Sequence, residues 1–162
     1  MKVRDAMMGS PVSCTSGTNL GAAVEMLWER NCGILPIVDT DSKVVGVITD
    51  RDLCVALGTR NRLAGQVTVG EVASGEVHSC RAADDIHTAL QTMADHRVRR
   101  LPVVNDEGVL EGILSMDNVV LHAESASSGR GADLSNDDVV KTLRQIYAPR
   151  VPQVVEARAA RA

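Results

Sequence analysis

The sequence contains an internal repeat, and this repeat is the feature that most constrains the fold. A shift of 66 residues, from residue 35 to residue 101, aligns LPIV (35–38) with LPVV (101–104). The same shift aligns GVIT (46–49) with GILS (112–115), and it needs no gap between residues 3 and 121. Chance does not keep so many matched residue types in register, so the chain is a tandem duplication. Its fold must therefore be built from two similar halves.

Each half has the pattern of a β-α-β-β-α unit. Apolar residues at a 3.6-residue spacing predict a first helix, with Thr18 and Asp84 as its N-cap candidates in the two halves. A short apolar strand, a turn rich in turn-forming residues and a second strand follow, and their close spacing predicts a hairpin. A second helix is expected after Thr49 or Ser115. The expected helices cover roughly 19–31, 50–57, 85–97 and 116–123.

The two halves are expected to need each other, because a unit of about 60 residues buries too little surface to be stable alone. We predict an α+β fold in which they pack sheet against sheet about a pseudo-two-fold axis, with clefts where paired elements meet. The predicted segments are a first repeat (1–66), a second repeat (67–123), a Ser/Gly-rich flexible linker (124–134), a short amphipathic helix (135–147) and a disordered tail (148–162).

Composition argues against two classes of partner. The net charge of −4 provides no overall positive field for nucleic acid. Trp28 and Tyr147 are the only aromatic residues, so the sequence lacks stacking platforms for single strands. No apolar run approaches the roughly 20 residues that span a bilayer, and the first residues, MKVRDAMM, lack the apolar core of a signal peptide. We therefore expect a cytoplasmic protein with neither a nucleic-acid nor a membrane partner.

No catalytic or metal-binding pattern is found in the sequence. A Gly-rich phosphate loop and a recognisable nucleophile–base pair are both missing, so we expect no enzyme activity. The four histidines never stand four residues apart, and none lies at a metal-ligand spacing from the four cysteines, so no metal is predicted. Free cysteines in a cytosolic chain are usually buried apolar thiols. A disulfide between the equivalent residues Cys14 and Cys80 remains open.

The junction GVITDRDL (46–53) places a hydroxyl and three charges where a strand passes into a helix. One interpretation is structural, because Thr49 and Asp52 have the spacing of a capping box. The other is functional, because a hydroxyl, free helix N-terminal amides and a carboxylate can hold a sugar phosphate. The interpretations are compatible, since a capped helix can still present its hydroxyl.

The duplicated pattern of helix, LPVV-like strand, turn and G-hydrophobic-hydrophobic-[TS]-x-x-[DN] resembles the CBS domain, named after cystathionine β-synthase. The resemblance covers residues 1 to about 123, and VRDAM (3–7) is similar to the lead-in of CBS repeats. It implies two β-α-β-β-α repeats whose facing sheets form a cleft for AMP, ADP, ATP or S-adenosylmethionine. The nucleotide would be a regulatory ligand, with no required cofactor. The resemblance also implies a homodimer formed through the helices and the regulation of an attached or partner protein, which the sequence does not identify.

The resemblance assigns roles to individual residues. Thr49 and Ser115 would face the phosphate or ribose, Asp52 would accept hydrogen bonds from both ribose hydroxyls, and aliphatic walls would hold the adenine. Asn118 replaces the second aspartate, which removes a charge-assisted bond from the second pocket. The residues implied to bind nucleotide are Val12, Ile34, Pro36, Thr49, Arg51, Asp52, Val77, His78, Arg99, Arg100, Pro102, Ser115 and Asn118.

Arg99 and Arg100 have no basic counterpart in the first repeat, where Gly33 and Ile34 stand. By the resemblance, we expect an arginine from this segment to reach across the cleft and bind phosphate in the pocket built on Thr49. The alternative is a solvated helix C-terminus, which favours positive charge without any ligand.

Two alternative functions remain open. One is a ligand-free dimeric scaffold or stress-response interaction module, favoured somewhat by the missing second aspartate. The other is a redox sensor that uses Cys14 and Cys80 or another cysteine pair. Separately, the broad apolar surface of the first helix predicts a homodimer.

Overall fold

The computed structural model describes residues 1–73, 76–124 and 133–149 and shows the predicted α+β fold. The helices are α1 (Val3–Ala6), α2 (Leu20–Glu29), α3 (Asp50–Thr59), α4 (Ile86–His96), α5 (Met116–His122) and α6 (Asn136–Ile146). The strands are β1 (Met8–Gly9), β2 (Ile34–Val38), β3 (Val44–Thr49), β4 (Arg100–Val104) and β5 (Leu110–Ser115), and short 3-10 turns cover Ala64–Gln66 and Val69–Glu71. Within these residues, no helix has the length and apolar character needed to cross a bilayer.

The N-caps of the first helix in each repeat lie one residue after the predicted positions. Asn19 accepts a hydrogen bond from the amide of Ala22, and Asp85 accepts one from the amide of His87. The predicted caps serve the preceding turn instead: Thr18 Oγ1 accepts from the Thr15 amide at 3.1 Å, and Asp84 Oδ2 accepts from the Arg81 amide at 2.8 Å. The prediction was wrong by one position because two adjacent polar residues were both capable of capping.

Each repeat contains one antiparallel hairpin with the same irregularity. β2 pairs with β3 and β4 pairs with β5, and the register shifts between Ile37 and Val38 and, equivalently, between Val103 and Val104. The segment before each first helix adds one parallel bridge, in which Cys14 or Cys80 pairs with the first strand of its hairpin. The duplication therefore repeats backbone detail as well as element order.

The two hairpins meet at their turns across the pseudo-two-fold axis. Lys43 and Val109, which are equivalent residues of the two repeats, form an antiparallel bridge with each other. The amide of Val44 donates to the carbonyl of Gly108 at 3.0 Å, and the amide of Leu110 donates to the carbonyl of Ser42 at 3.1 Å. Replacing each residue by its equivalent in the other repeat converts one of these bonds into the other. The pseudo-two-fold axis therefore passes between Lys43 and Val109.

The lead-in segments of the two repeats are exchanged. Val3 of the first repeat is fully buried in the core of the second, while Val69 of the second repeat is fully buried in the core of the first. Equivalent bonds fix both segments: the Val3 amide donates to the Asp84 carbonyl at 3.0 Å, and the Val69 amide donates to the Thr18 carbonyl at 2.8 Å. Each hydrophobic core therefore contains the lead-in segment of the other repeat.

Helix α6 packs on the second repeat and makes the molecule asymmetric. Ser135 and Asp138 cap it with a capping box, and Leu134, Val139 and Ile146 are buried in the second core. The equivalent surface of the first repeat stays open: Trp28 is 85% exposed, whereas its counterpart Ala94 is 6% exposed. Residues 125–132 of the predicted linker and 150–162 of the predicted tail lie outside the described residues.

The cleft between the repeats as a candidate site

The capping box predicted at the strand–helix junction is present. The Thr49 amide and hydroxyl both donate to Asp52 Oδ2, at 2.9 and 2.7 Å, and the Asp52 amide donates back to Thr49 Oγ1 at 3.3 Å. Both side chains are half-buried. The box therefore fixes the hydroxyl and the carboxylate at the N-terminus of α3 before any ligand binds.

The second repeat builds the same box without the charge. The Ser115 amide and hydroxyl donate to Asn118 Oδ1 at 3.1 and 2.6 Å, and the Asn118 amide donates to Ser115 Oγ at 3.2 Å. An amide oxygen thus caps the helix with the geometry of the carboxylate. The repeats therefore differ in the negative charge of Asp52, whereas both residues cap their helices in the same way.

A cleft of about 1,110 Å³ opens between the repeats at the N-terminus of α3. Seven of the residues predicted from the sequence line it: Ile34, Thr49, Arg51, His78, Arg99, Arg100 and Pro102. Residues that the sequence did not single out complete the wall: Gly33, Val47, Asp50, Cys54 and Val55 from the first repeat, Glu76, Arg97 and Val98 from the second, and Ile146, Tyr147 and Ala148 around the end of α6.

Six predicted residues do not line this cleft. Pro36 is buried in β2 opposite Val47, and Val12 packs against the first core. Asp52 is engaged in the capping box behind Thr49. The remaining three, Val77, Ser115 and Asn118, also lie outside the cleft lining, and Ser115 is only 9% exposed.

Arg100 crosses from the second repeat to the first. Its guanidinium nitrogens lie 3.1 and 3.2 Å from the place where a Cβ on Gly33 would stand. A side chain at position 33 would therefore displace the guanidinium, and glycine makes the close approach possible. Its charge is incompletely neutralised, because the nearest carboxylate oxygen, Asp117 Oδ2, is 3.9 Å away and belongs to an 84% exposed side chain.

Tyr147, the C-cap residue of α6, contributes an aromatic side chain to the cleft lining. Arg99 Nη1 donates to the hydroxyl of Tyr147 at 3.2 Å, which ties the end of α6 to the second repeat at the cleft wall. The repeat pattern could not reveal this residue, because α6 lies outside the duplication.

The cleft is basic although the protein is acidic. Arg51, Arg97, Arg99 and Arg100 line it, against the carboxylates of Asp50 and Glu76. The excess of positive charge, beside the positive end of the α3 dipole, favours an anionic ligand. The electrostatics agree with the phosphate role that the resemblance implies for this segment.

The two equivalent cysteines are separate buried thiols. Cys14 lies in the first core and Cys80 in the second, so the disulfide that the sequence left open does not form. Burial raises the pKa of the Cys14 thiol to about 11 and that of the Cys80 thiol to about 12, the latter with help from the nearby Asp84 charge. Because the thiolate is the reactive form, these positions are poor sensors of oxidant.

The family profile of the CBS domain matches residues 3–59 and 69–124. The chain belongs to the CBS domain family. The two matched segments correspond to the two repeats, and residues 60–68 connect them.

Three members of the family show the range of ligands among similar proteins. Hypoxic response protein 1 of Mycobacterium tuberculosis is 29% identical over 117 residues, 72% of this chain and 81% of that protein. Its crystal structure with two coordinated zinc ions is 28% identical, covers 76% of this chain and 100% of that chain, and gives a TM-score of 0.70.

The other two are complexes with adenosyl compounds. The CBS domain pair of MJ0100, in complex with 5′-methylthioadenosine and S-adenosyl-L-methionine, is 25% identical over 75% of this chain and 94% of that chain, with a TM-score of 0.69. CBSX2 in complex with AMP is 28% identical over 74% of this chain and 93% of that chain, with a TM-score of 0.65.

The burial of the two core cysteines predicts a graded reactivity toward a thiol reagent such as Ellman's reagent. In the native protein at neutral pH, exposed Cys54 should react first, whereas Cys14 and Cys80 should react only on unfolding. Cys54→Ser should remove the fast phase and serves as the control. Rapid labelling of Cys14 or Cys80 in the folded protein, located by peptide mass spectrometry, would contradict the assignment.

Proposed function

We propose that this CBS protein is a non-catalytic, cytoplasmic regulatory module that binds an adenosyl nucleotide in the cleft between its repeats. The observation that carries the proposal is the basic cleft into which Arg100 of the second repeat reaches, against Gly33 of the first. Ligand binding would couple the two repeats, because its contacts come from both. The output would be a change in shape or in association with a partner protein.

The first repeat is the stronger candidate for holding the ribose and phosphates. Thr49 lines the cleft, and both hydrogen bonds that the Asp52 carboxylate accepts in the capping box use Oδ2, so Oδ1 would accept from a ribose hydroxyl once the side chain turns toward the cleft. Arg100 would complement the phosphate. Complexes of CBSX2 with AMP and of MJ0100 with S-adenosyl-L-methionine support this ligand class.

The apolar groove beside α2 favours a second role in self-association. Trp28, Val24 and Leu57 are 85%, 40% and 38% exposed there, and on the second repeat α6 covers the equivalent surface. The first-repeat surface should therefore bind an amphipathic helix in the same way. Helix α2 of a second copy is such a helix. We infer a homodimer with isologous contacts through the first repeat.

Asp52→Asn should weaken AMP binding roughly tenfold to a hundredfold, because a charge-assisted hydrogen bond contributes about 1.5–3 kcal/mol. The fold should persist, since Asn118 already caps α5 with the same geometry. Isothermal titration calorimetry with AMP measures the loss. Asn118→Ala is the control and should leave the affinity unchanged; an equal loss in both variants would refute the placement of the ribose in the first repeat.

Arg100→Ala should weaken AMP and ATP roughly tenfold or more but barely change the affinity for adenosine, because only the phosphates need the guanidinium. Arg144→Ala, which removes an exposed arginine of α6 outside the cleft lining, is the control. The same titrations with the three ligands make the comparison. Equal losses for AMP, ATP and adenosine would show that Arg100 supports the fold of the cleft and does not bind phosphate.

Trp28→Glu should convert a homodimer to a monomer, because it places a charge in the centre of an apolar contact. Leu63→Glu, at a residue that is 73% exposed and outside the groove lining, should leave the dimer intact. Light scattering at tens of micromolar protein distinguishes the two states. A monomeric wild-type protein at that concentration would rule out the dimer.

A further inference from the structure

The second repeat brings three metal-binding side chains together at the edge of the cleft. Glu76, His78 and His96 each offer one ligand atom, and these atoms all lie within 4.8 Å of one another. Glu76 Oε1 is 3.6 Å from His78 Nε2. The sequence spacing did not suggest this group, because 18 residues separate the two histidines and only the fold places them side by side.

The two imidazole rings are already stacked. Their centroids are 3.6 Å apart and their planes differ by 15°. Two ligand atoms of a tetrahedral zinc ion lie roughly 3.4 Å apart, as follows from metal–ligand bonds of about 2.0–2.2 Å. An ion bound by an imidazole lies in the plane of that ring, so metal binding requires the exposed His96 ring to rotate out of the stack and Glu76 Oε1 to move toward the same point.

The end of α4 contributes partial negative charge to the cluster, at the rim of a cleft whose arginines make it basic overall. His96 is the last residue of α4, so the cluster lies at the end of the helix where free carbonyls carry partial negative charge. Arg97, in the left-handed conformation at the C-cap, ends the helix there. The carboxylate of Glu76 adds a formal negative charge to the two imidazoles.

The site is specific to the second repeat. The residues equivalent to Glu76, His78 and His96 in the first repeat are Ser10, Val12 and Arg30. None of the three replacements reproduces its counterpart's ligand, and the arginine would repel a cation. The cluster is therefore not part of the repeat pattern. The residues at the equivalent positions of the first repeat can be introduced into the second repeat to test it.

We propose that Glu76, His78 and His96 bind a divalent transition-metal ion of the zinc type. Two imidazoles and one carboxylate suit zinc and leave a fourth position open, whereas magnesium and calcium prefer oxygen ligands throughout. Since Glu76 and His78 also line the cleft, the ion lies at its rim. Metal binding at this site does not depend on the proposed nucleotide function.

Titration of the untagged protein with Zn²⁺ alone, in the absence of nucleotide, tests the proposal. Wild type should bind one ion, and the melting temperature should rise with it. His78→Val and His96→Arg carry the residues that the first repeat tolerates at the same positions, and each should lower the zinc affinity at least tenfold. Without metal, their melting temperatures should stay close to that of wild type, which shows that the fold is retained.

Two controls locate the ion. His122→Ala removes an exposed histidine outside the cluster, and Cys54→Ser removes the exposed thiol; both should keep the wild-type affinity. Cobalt substitution should give visible absorption without a thiolate charge-transfer band. No zinc binding by wild type, unchanged affinity in both cluster variants, or an equal loss in Cys54→Ser would overturn the proposal.

Discussion

The exchange of lead-in segments is the constraint on which the rest of this structure depends. Val3 and Val69 each fill the core of the opposite repeat, and equivalent backbone hydrogen bonds hold both segments. Neither core is complete without the other repeat, so the halves cannot separate without exposing buried apolar surface. The bridge between Lys43 and Val109 fixes the same relation at the hairpin turns. A cleft between halves tied in this way has walls whose relative position is defined before a ligand arrives.

Within this symmetric frame, the two repeats differ in the charged and metal-binding side chains around the cleft. Asn118 keeps the cap but loses the charge of Asp52, and Arg100 stands where the first repeat has Ile34. Arginines from both repeats line the cleft and make it basic: Arg51 from the first, and Arg97, Arg99 and Arg100 from the second. The cluster of Glu76, His78 and His96 is a further departure from symmetry, confined to the second repeat.

Helix α6 extends this asymmetry to the outer surface. It covers the helices of the second repeat and ends at the cleft, where Tyr147 contacts Arg99. The equivalent apolar surface of the first repeat stays exposed in this structure, with Trp28 at its centre.

The sequence by itself determined the duplication, the β-α-β-β-α order of each repeat and the capping box at Thr49 and Asp52. These follow from local spacing, which a linear pattern records directly. It also indicated Arg100, because comparing the repeats exposed a charge without a counterpart. The tertiary structure alone decided that Asn19 and Asp85 are the caps, that the lead-ins are exchanged, and that Cys14 and Cys80 lie in different cores. It alone also brought Tyr147, and the pair His78 and His96, to the cleft region. Those contacts join residues far apart in the chain, and they depend on how two already folded halves pack, which no local pattern specifies.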